Sequence, residues 1–220
     1  MSSSPLSGTA IIFDMDGTLV DSTAVVEGVW AEFAERHGID LTTLLGFSHG
    51  RQTIDTVRRF LPESPRAEAI AATIQAEEMS RMDGVREIPG AAAFFASVPA
   101  ASVALVTSAP RELARRRMEA AGMPLPAVTV AGEDVSVGKP SPEGYLLAAE
   151  RLGQDARDTI VFEDAAAGLL AARASGATTV VVGRFEGEAA AGLRRVPDYL
   201  GLTATRAPGE TDGRVIILGL

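Results

Sequence analysis

The stretch IIFDMDGTLVDS, from Ile11 to Ser22, places two carboxylates directly after a short apolar run. Thr9 to Phe13 is apolar and β-branched, which is typical of a buried strand. Asp14 and Asp16 follow it, and residues two apart in an extended segment point the same way. Because neighbouring carboxylates repel each other, a folding core gains nothing from the pair. The pattern therefore predicts a strand end at which a divalent cation relieves the repulsion.

Two other interpretations of this motif are a calcium loop and a simple charged turn. An EF-hand begins in the same way, but Thr18, Leu19 and Val25 stand where it requires Asp or Asn, Gly and Glu. The calcium loop is therefore excluded. A charged turn after a strand remains open, since the motif by itself does not distinguish the two.

Composition excludes several classes of protein. The 220 residues are 46% apolar, which suits one large domain or a domain with a smaller insert. The net charge of −9 argues against a nucleic-acid partner, and the lack of cysteine excludes disulfides and thiolate chemistry. MSSSPLSG at the N-terminus is unlike a signal peptide, and the alanine-rich stretch 91–106 is too interrupted to span a membrane. We expect a cytoplasmic monomer that binds neither nucleic acid nor membrane.

Apolar runs alternate with helical patterns along most of the chain. Strands are predicted at 9–13, 101–107, 127–130, 159–162, 178–182 and 214–220, and helices at 110–121, 142–152 and 165–175. Strands separated by single helices imply βαβ units. The fold class predicted is therefore α/β, with a doubly wound, Rossmann-like parallel sheet.

One connection is too long for this scheme. A βαβ crossover takes about 30 residues, whereas nearly three times as many separate Phe13 from Ala101. The excess contains three helical patterns, at 22–37, 51–61 and 66–81. We expect a helical cap domain of residues 21–86 inserted into a core domain of residues 1–20 and 87–220. Such a cap would cover the carboxyl ends of the strands, where open α/β sheets bind ligands.

Three further strand ends carry side chains suited to phosphate chemistry. Thr107 and Ser108 precede a helix and could bind an anion, or could cap that helix. Lys139 lies in the loop GKPSPEGY and could contact a phosphate, or could be a solvated surface lysine. Glu163 and Asp164 form a second acidic pair, although Asp164 could be a helix N-cap. Because these ends share one edge of a parallel sheet, their combination favours an active site.

These motifs resemble those of the haloacid dehalogenase-like hydrolase superfamily. The matching segments are DMDGT at 14–18, VTS at 106–108, GKPSPEGY at 138–145 and FEDAAAG at 162–168. They occur in the family's order, and the helical insert is similar to the family's cap between its first and second motifs. SHGRQTID at 48–55 and TSAPRE at 107–112 resemble sugar- and polyol-phosphate phosphatases, including glycerol and 2-deoxyglucose-6-phosphate phosphatases.

The resemblance implies a phosphatase that works through an aspartyl-phosphate. Asp14 would be the nucleophile and Asp16 the general acid/base, a role worth about 10²–10⁴-fold in rate. Mg²⁺ would be held by Asp14, the Asp16 backbone carbonyl and Asp164, with Glu163 as a further ligand or close neighbour. A carboxylate attacks an anionic ester only when positive charge suppresses the repulsion.

The remaining implied roles concern substrate binding. Thr107 and the Ser108 backbone N–H would hold the phosphoryl oxygens, and Lys139 would neutralise Asp14 and the phosphate. His49, Arg51 and Arg111 lie in or beside the motifs shared with the sugar phosphatases. We expect them to contact the substrate.

Three rival functions are considered. A β-phosphoglucomutase-like mutase shares all four motifs, but Pro110 stands where the mutase typically has a lysine. A dehalogenase does not usually carry a carboxylate at the position of Asp16, because no leaving alcohol needs a proton. A non-catalytic phospho-receiver or regulatory binding module is about half this length and has no use for a cap. We therefore favour hydrolysis of a small phosphate monoester.

Overall fold

The computed structural model describes residues 5–206 and 214–219. Residues 1–4 of the N-terminal stretch considered above, and Leu220 of the last predicted strand, lie outside the described residues. The strands are β1 (Leu6–Gly8), β2 (Ala10–Phe13), β3 (Val20–Asp21), β4 (Arg86–Glu87), β5 (Val103–Val106), β6 (Val128–Val130), β7 (Thr159–Glu163), β8 (Thr178–Val182), β9 (Arg194–Val196), β10 (Thr203–Arg206) and β11 (Val215–Leu218). The α-helices are α1 (Thr23–His37), α2 (Leu41–Ser48), α3 (Thr53–Phe60), α4 (Ala67–Ser80), α5 (Ala91–Ser97), α6 (Arg111–Ala120), α7 (Glu143–Arg151) and α8 (Ala166–Ser175).

Six of these strands form a parallel sheet in the order β6-β5-β2-β7-β8-β9. The predicted α/β class with a doubly wound parallel sheet is confirmed. β2 pairs with β5 on one side and β7 on the other, so the chain order reverses at β2. Open sheets bind ligands beyond the carboxyl ends of the strands at such a reversal. The two aspartates that follow β2 therefore stand at the position where a ligand is expected.

Helices cover both faces of the sheet, which explains why consecutive residues of β2 are all apolar and buried. Ile11 and Phe13 pack in one cluster with Phe94, Phe162 and Tyr199. Ile12 points to the other face and packs with α7 and α8. The core therefore holds the end of β2 from both sides.

Helices α1 to α4, residues 23–80, pack around a hydrophobic cluster of their own and are called the helical module here. This cluster includes Trp30, Phe33, Leu44, Val57 and Ile74. The chain enters the module through β3 and leaves it through β4, and these two strands pair antiparallel. Arg86 Nη2 lies 2.9 Å from Asp21 Oδ2 across that pair. The two connections to the sheet therefore lie side by side.

Several elements were not predicted from the sequence. These are α2, α5, β9 and an antiparallel sheet of β1, β11 and β10, in which β11 corresponds to the predicted final strand. Ser22 stands at the N-cap position of α1, but its side chain makes no capping bond. It donates instead to Asp16 Oδ1 at 2.6 Å. Throughout residues 5–206 and 214–219, no helix combines the length and apolar character needed to cross a bilayer.

Candidate active site

The loop after β2 turns sharply and directs Asp14 and Asp16 to one side. The carbonyl of Met15 accepts the N–H groups of Leu19 and Val20 at 2.8 and 2.9 Å, and the Met15 side chain is fully buried in the core. Both aspartates line a cavity on the opposite side. Gly17 has a φ of +82°, and a Cβ there would lie 2.0 Å from Asp164 Oδ2. Glycine therefore lets this loop pass directly against the end of β7.

Lys139 is a buried cation between two carboxylates. Its Nζ lies 2.5 Å from Asp14 Oδ1 and 2.7 Å from Glu163 Oε1. Burial opposes the charged ammonium, but the carboxylates of Asp14 and Glu163 outweigh it and raise the pKa of Lys139 well above its ordinary value. Lys139 is therefore not the solvated surface lysine of the alternative interpretation, because it bears its charge inside the protein beside Asp14.

Glu163 is fully buried, and both of its carboxylate oxygens accept hydrogen bonds. Besides Lys139, Tyr145 Oη donates to Oε1 at 3.1 Å. The backbone N–H groups of Asp164 and Ala165 donate to Oε2 at 2.8 and 2.9 Å. In this arrangement Glu163 acts as the anchor for Lys139.

Asp14, Glu163 and Asp164 form a group whose carboxylate oxygens lie within 4.8 Å of one another. Thr18 Oγ1 donates to Asp164 Oδ1 at 3.1 Å. Burial, followed by the charges of Glu163 and Asp14, raises the pKa of Asp164 well above its usual range. Burial is also the largest cause that raises the pKa of Asp14, to about 7, against the lowering effect of Lys139. Three carboxylates exceed the charge of one lysine, and hard oxygen donors suit a divalent cation such as Mg²⁺.

Asp164 and Thr107 are not helix caps. The residue at the N-cap position of α8 is Ala165, and the residue at that position of α6 is Pro110. Thr107 Oγ1 accepts the N–H of Ala109 at 3.1 Å, and Ser108 Oγ donates to the carbonyl of Gly50 at 2.9 Å. The capping alternatives are therefore set aside, and Ser108 connects the sheet edge to the helical module.

A cavity of about 650 Å³ lies between the helical module and the carboxyl edge of the sheet. Asp14, Asp16, Asp164, Thr107 and Ser108 lie on its sheet side. The module contributes both apolar and polar side chains to the same cavity, namely Val26, Glu27, Trp30, Leu45, His49, Arg51 and Glu78. The space suits a small molecule that is polar at one end and partly apolar along its length.

The three predicted substrate contacts differ in their surroundings. His49 lines the cavity, half exposed, with Nε2 3.8 Å from Glu27 Oε1. Arg51 also lines it, with its guanidinium 4.3 Å from the ring centroid of Phe47. Arg111 does not line the cavity. Instead it donates to Asp134 and, at 3.2 Å, to the carbonyl of Thr129.

Sequence reasoning missed Thr18, Tyr145, Glu78 and Arg117, all of which touch the charged groups of the site. Arg117 is the clearest case, since its Nη1 donates to both carboxylate oxygens of Asp16 at 3.0 Å. The sequence contains a pattern that could have indicated that Arg117 is buried. Leu113, Ala114, Arg117 and Met118 follow the spacing of one helix face, so the buried stripe of α6 includes an arginine.

Comparison with known proteins agrees with this geometry. Residues 9–176 match the family described as haloacid dehalogenase-like hydrolase. The chain belongs to the haloacid dehalogenase-like hydrolase family. It is 39% identical over 175 residues to hexitol phosphatase A of Escherichia coli, covering 78% of this chain and 81% of that protein. It is 35% identical over 190 residues to 2-deoxyglucose-6-phosphate phosphatase 1 of Saccharomyces cerevisiae, covering 77% of each.

A solved structure of a hydrolase from Pseudomonas syringae superposes on this haloacid dehalogenase-like chain with a TM-score of 0.75. It is 26% identical, and the match covers 87% of this chain and 95% of that one. The predicted family is thus confirmed, as is the prediction of an enzyme of the phosphoric monoester hydrolase class. The alternative of a non-catalytic receiver module is not retained.

Proposed function

We propose that this protein is a Mg²⁺-dependent phosphatase of small sugar or polyol phosphates that works through an aspartyl-phosphate. The observation that carries the proposal is the contact of Asp14 with Lys139, beside Asp164, under a cavity of small-molecule size. The relatives named as hexitol and 2-deoxyglucose-6-phosphate phosphatases support the substrate class.

In the first step an Asp14 carboxylate oxygen attacks phosphorus, and the bond from phosphorus to the leaving alcohol oxygen breaks. Asp16 gives its proton to that oxygen. Asp16 then takes a proton from water, whose oxygen attacks the phosphorus of the aspartyl-phosphate and releases phosphate. Asp14 is thereby regenerated, so the two aspartates complete the cycle without loss of atoms.

Charge balance explains the other roles. Asp14, Asp164 and the Asp16 carbonyl would hold Mg²⁺, which when bound supplies positive charge against the anionic ester. Lys139 is held beside Asp14 by Glu163, so it neutralises the nucleophile and the transferring phosphoryl group. Thr107 and the Ser108 N–H bind phosphoryl oxygens. Phosphoryl transfer depends mainly on such alignment and charge stabilisation.

The helical module is proposed to act as the cap of residues 21–86, with residues 1–20 and 87–220 as the core. Trp30, Leu45 and Val26 line the cavity opposite the acidic groups, so they would contact the carbon skeleton of the leaving group. His49 and Glu27 are proposed to bind its hydroxyls. Arg111 is left out of the proposal because Asp134 and Thr129 hold its guanidinium away from the cavity.

The contacts that Arg51 makes within the protein favour hydrolysis over a mutase reaction. A mutase needs a cationic group of the cap to hold the second phosphate of a bisphosphate. Here the Arg51 guanidinium lies over Phe47, and its Nη1 is 3.5 Å from the carbonyl of Lys139. Arg51 is thus already engaged by two groups of the protein.

The oligomeric state and partners are proposed from charge. With a net charge of −9, the protein is expected to be a monomer without a nucleic-acid partner. A cytoplasmic location without a membrane partner stays a prediction from the sequence. Light scattering coupled to size-exclusion chromatography measures the oligomeric state. A molar mass of a dimer or larger assembly would contradict the monomer.

The decisive experiment measures phosphate release from a panel of sugar, polyol and nucleotide monophosphates, with Mg²⁺ and then with EDTA. We expect turnover of sugar or polyol phosphates that EDTA abolishes, without any requirement for a bisphosphate. Asp14→Asn removes the nucleophile and should abolish turnover with every substrate. Phosphate release that survives EDTA or this substitution would contradict the proposed mechanism.

A further inference from the structure

Arg117 places a full positive charge on a helix face that is otherwise apolar. Its side chain is only 3% exposed, and it is flanked on α6 by buried Leu113, Ala114 and Met118. An unpaired charge in a protein interior is very costly, so a buried arginine persists only with specific partners. The partners of Arg117 therefore indicate what it does.

The first partner is Asp16, the proposed general acid/base. Arg117 Nη1 donates to Oδ1 and to Oδ2, at 3.0 Å each. Ser22 Oγ donates to Oδ1 at 2.6 Å. These bonds hold the carboxylate in one orientation at the wall of the cavity that it lines.

The second partner is Glu78, which belongs to α4 of the helical module. Its side chain is 8% exposed, and its Oε1 lies 3.3 Å from Arg117 Nη2. Within the described part of the chain, Nη2 and Nε of Arg117 have no hydrogen-bond partner. The hydrogen bonds of Arg117 thus go to Asp16, while Glu78 contributes its charge.

The neighbouring arginine strengthens the same contact between helices. Arg116 Nη1 donates to the carbonyl of Met79 at 3.3 Å. Two consecutive arginines of α6 therefore meet two consecutive residues of α4. Of these two arginines, Arg117 also contacts Asp16, in the loop after β2. The packing of α4 against α6 can therefore affect the orientation of Asp16.

We propose that Arg117 is a positioning residue that orients the Asp16 carboxylate, and that Glu78 makes this orientation depend on the docking of the helical module. The inference rests on the proposed function, in which Asp16 transfers protons. A catalytic group misplaced by about 1 Å can cost about 10²-fold in rate. Arg117 would therefore affect turnover without touching the substrate phosphate.

The test compares two substrates that differ in their need for a proton. A hexitol phosphate has an alkoxide leaving group that requires Asp16, whereas p-nitrophenolate leaves without a proton. The rate of leaving-group release is measured in the first turnover for wild type, Arg117→Met, Arg117→Lys and Glu78→Gln. Arg116→Met is the matched control, because it removes an adjacent arginine that contacts α4 but not Asp16.

Arg117→Met should lower the hexitol phosphate rate by about 10–100-fold and the p-nitrophenyl phosphate rate by less than about 3-fold, with KM nearly unchanged. Arg117→Lys should lose less of the hexitol phosphate rate than Arg117→Met. Glu78→Gln should also lower the hexitol phosphate rate more than the p-nitrophenyl phosphate rate, but by a smaller factor than Arg117→Met. Arg116→Met should change neither rate. In an Asp16→Asn background, adding Arg117→Met should cause no further loss, because both act through one group.

Equal losses on the two substrates, no loss in Arg117→Met, or an additive double variant would overturn the inference. If Arg117→Met does not fold because the buried Glu78 carboxylate loses its partner, the Glu78→Gln and Arg117→Met double variant replaces it, with the same expected selectivity. If wild type releases phosphate from neither substrate in Mg²⁺, the proposed function itself fails. That outcome is thus distinguished from a failure of the role of Arg117.

Discussion

The arrangement of the site requires a residue without a side chain at position 168, which is Gly168. It lies in the first half of α8, where its missing side chain leaves room for Glu163. An ideal Cβ at this position would lie 1.4 Å from Glu163 Oε1. Glu163 cannot move aside without losing its bonds to Lys139 and Tyr145. The absence of a side chain at Gly168 therefore lets Glu163 keep the position in which it binds Lys139.

Gly168→Ala is expected to destabilise the protein by about 1–3 kcal/mol, because it overpacks a filled interior. It should also lower kcat, since Lys139 loses its position beside Asp14. Urea unfolding and steady-state kinetics measure the two effects. Gly28→Ala is the control, because Gly28 lies within α1 and a Cβ there meets nothing within 4 Å. Gly28→Ala should be at least as stable as wild type. Equal stability and equal kcat of Gly168→Ala and Gly28→Ala would contradict this account of Gly168.

Asp16→Asn tests the proton transfers at the same scale. With p-nitrophenyl phosphate, whose leaving group needs no proton, the first step still proceeds in this variant. The amide cannot take a proton from water, so the aspartyl-phosphate should accumulate and turnover should fall by about 10²–10⁴-fold. Mass spectrometry of the acid-quenched protein detects the added phosphoryl group. Asp14→Asn should never carry it. A normal rate of dephosphorylation in Asp16→Asn would remove Asp16 from the mechanism.

At the scale of elements, α2 was missed because its sequence, LTTLLGFS, is short and contains threonines and a glycine, which are poor helix formers. Its start is fixed by Asp40, the N-cap. Asp40 Oδ1 accepts from Thr43 N at 2.8 Å and from Thr43 Oγ1 at 2.6 Å. The helix then presents Leu44 to the core of the module. Tertiary contact and a local cap thus override weak helix propensity.

Asp40→Ala should lower Tm by roughly 2–4 °C, whereas Asp40→Asn should stay close to wild type, because Asn also caps helices well. Hydrogen bonds from the Thr43 side chain and backbone lower the pKa of Asp40 below its ordinary value of 3.8. The stabilisation is therefore complete above pH 3.8 and is lost as the pH falls through the lower, folded value. Calorimetry near neutral and acidic pH measures this. A wild-type advantage over Asp40→Ala that does not shrink in acid would contradict it.

At the scale of the whole molecule, segments distant in the chain bring their charges to one place. Asp14, Lys139 and Glu163 meet because β2 and β7 are neighbours and the loop before α7 reaches across them. The folded pKa of Asp14, about 7, exceeds its unfolded value of 3.8. Without a cation, the native state therefore binds more protons than the unfolded state. Its stability falls as the pH rises from about 4 through about 7.

A divalent cation should replace those protons, so the stabilisation by Mg²⁺ should grow across the same pH range. We expect the difference in Tm between Mg²⁺ and EDTA to be larger at pH 8 than at pH 5.5. Differential scanning fluorimetry measures it. Asp14→Asn removes one ligand and should reduce the difference at pH 8. An identical Tm in Mg²⁺ and EDTA at pH 8 would argue against a cation at the acidic group.

Most of the fold could be predicted because its signals are local. The strands β2, β5, β7 and β8 are short, continuous apolar runs, and most helices are amphipathic and bounded by glycine or proline. The edge strand β9, RRV, carries no such signal, since two of its three residues are arginines and only Val196 is apolar and buried. The antiparallel sheet of β1, β10 and β11 joins segments about 200 residues apart, so no local pattern could indicate the pairing.

The sequence by itself determined the parallel sheet and the order of the strand ends that carry Asp14, Thr107, Lys139 and Asp164, because apolar runs and turn residues act over short distances. Only the tertiary structure decided that Glu163 anchors Lys139, that Arg111 faces away from the cavity, and that Arg117 lies against Asp16. The reason is physical. A charged side chain takes its role from the partners and the burial that the folded chain gives it, and these depend on residues far away in sequence.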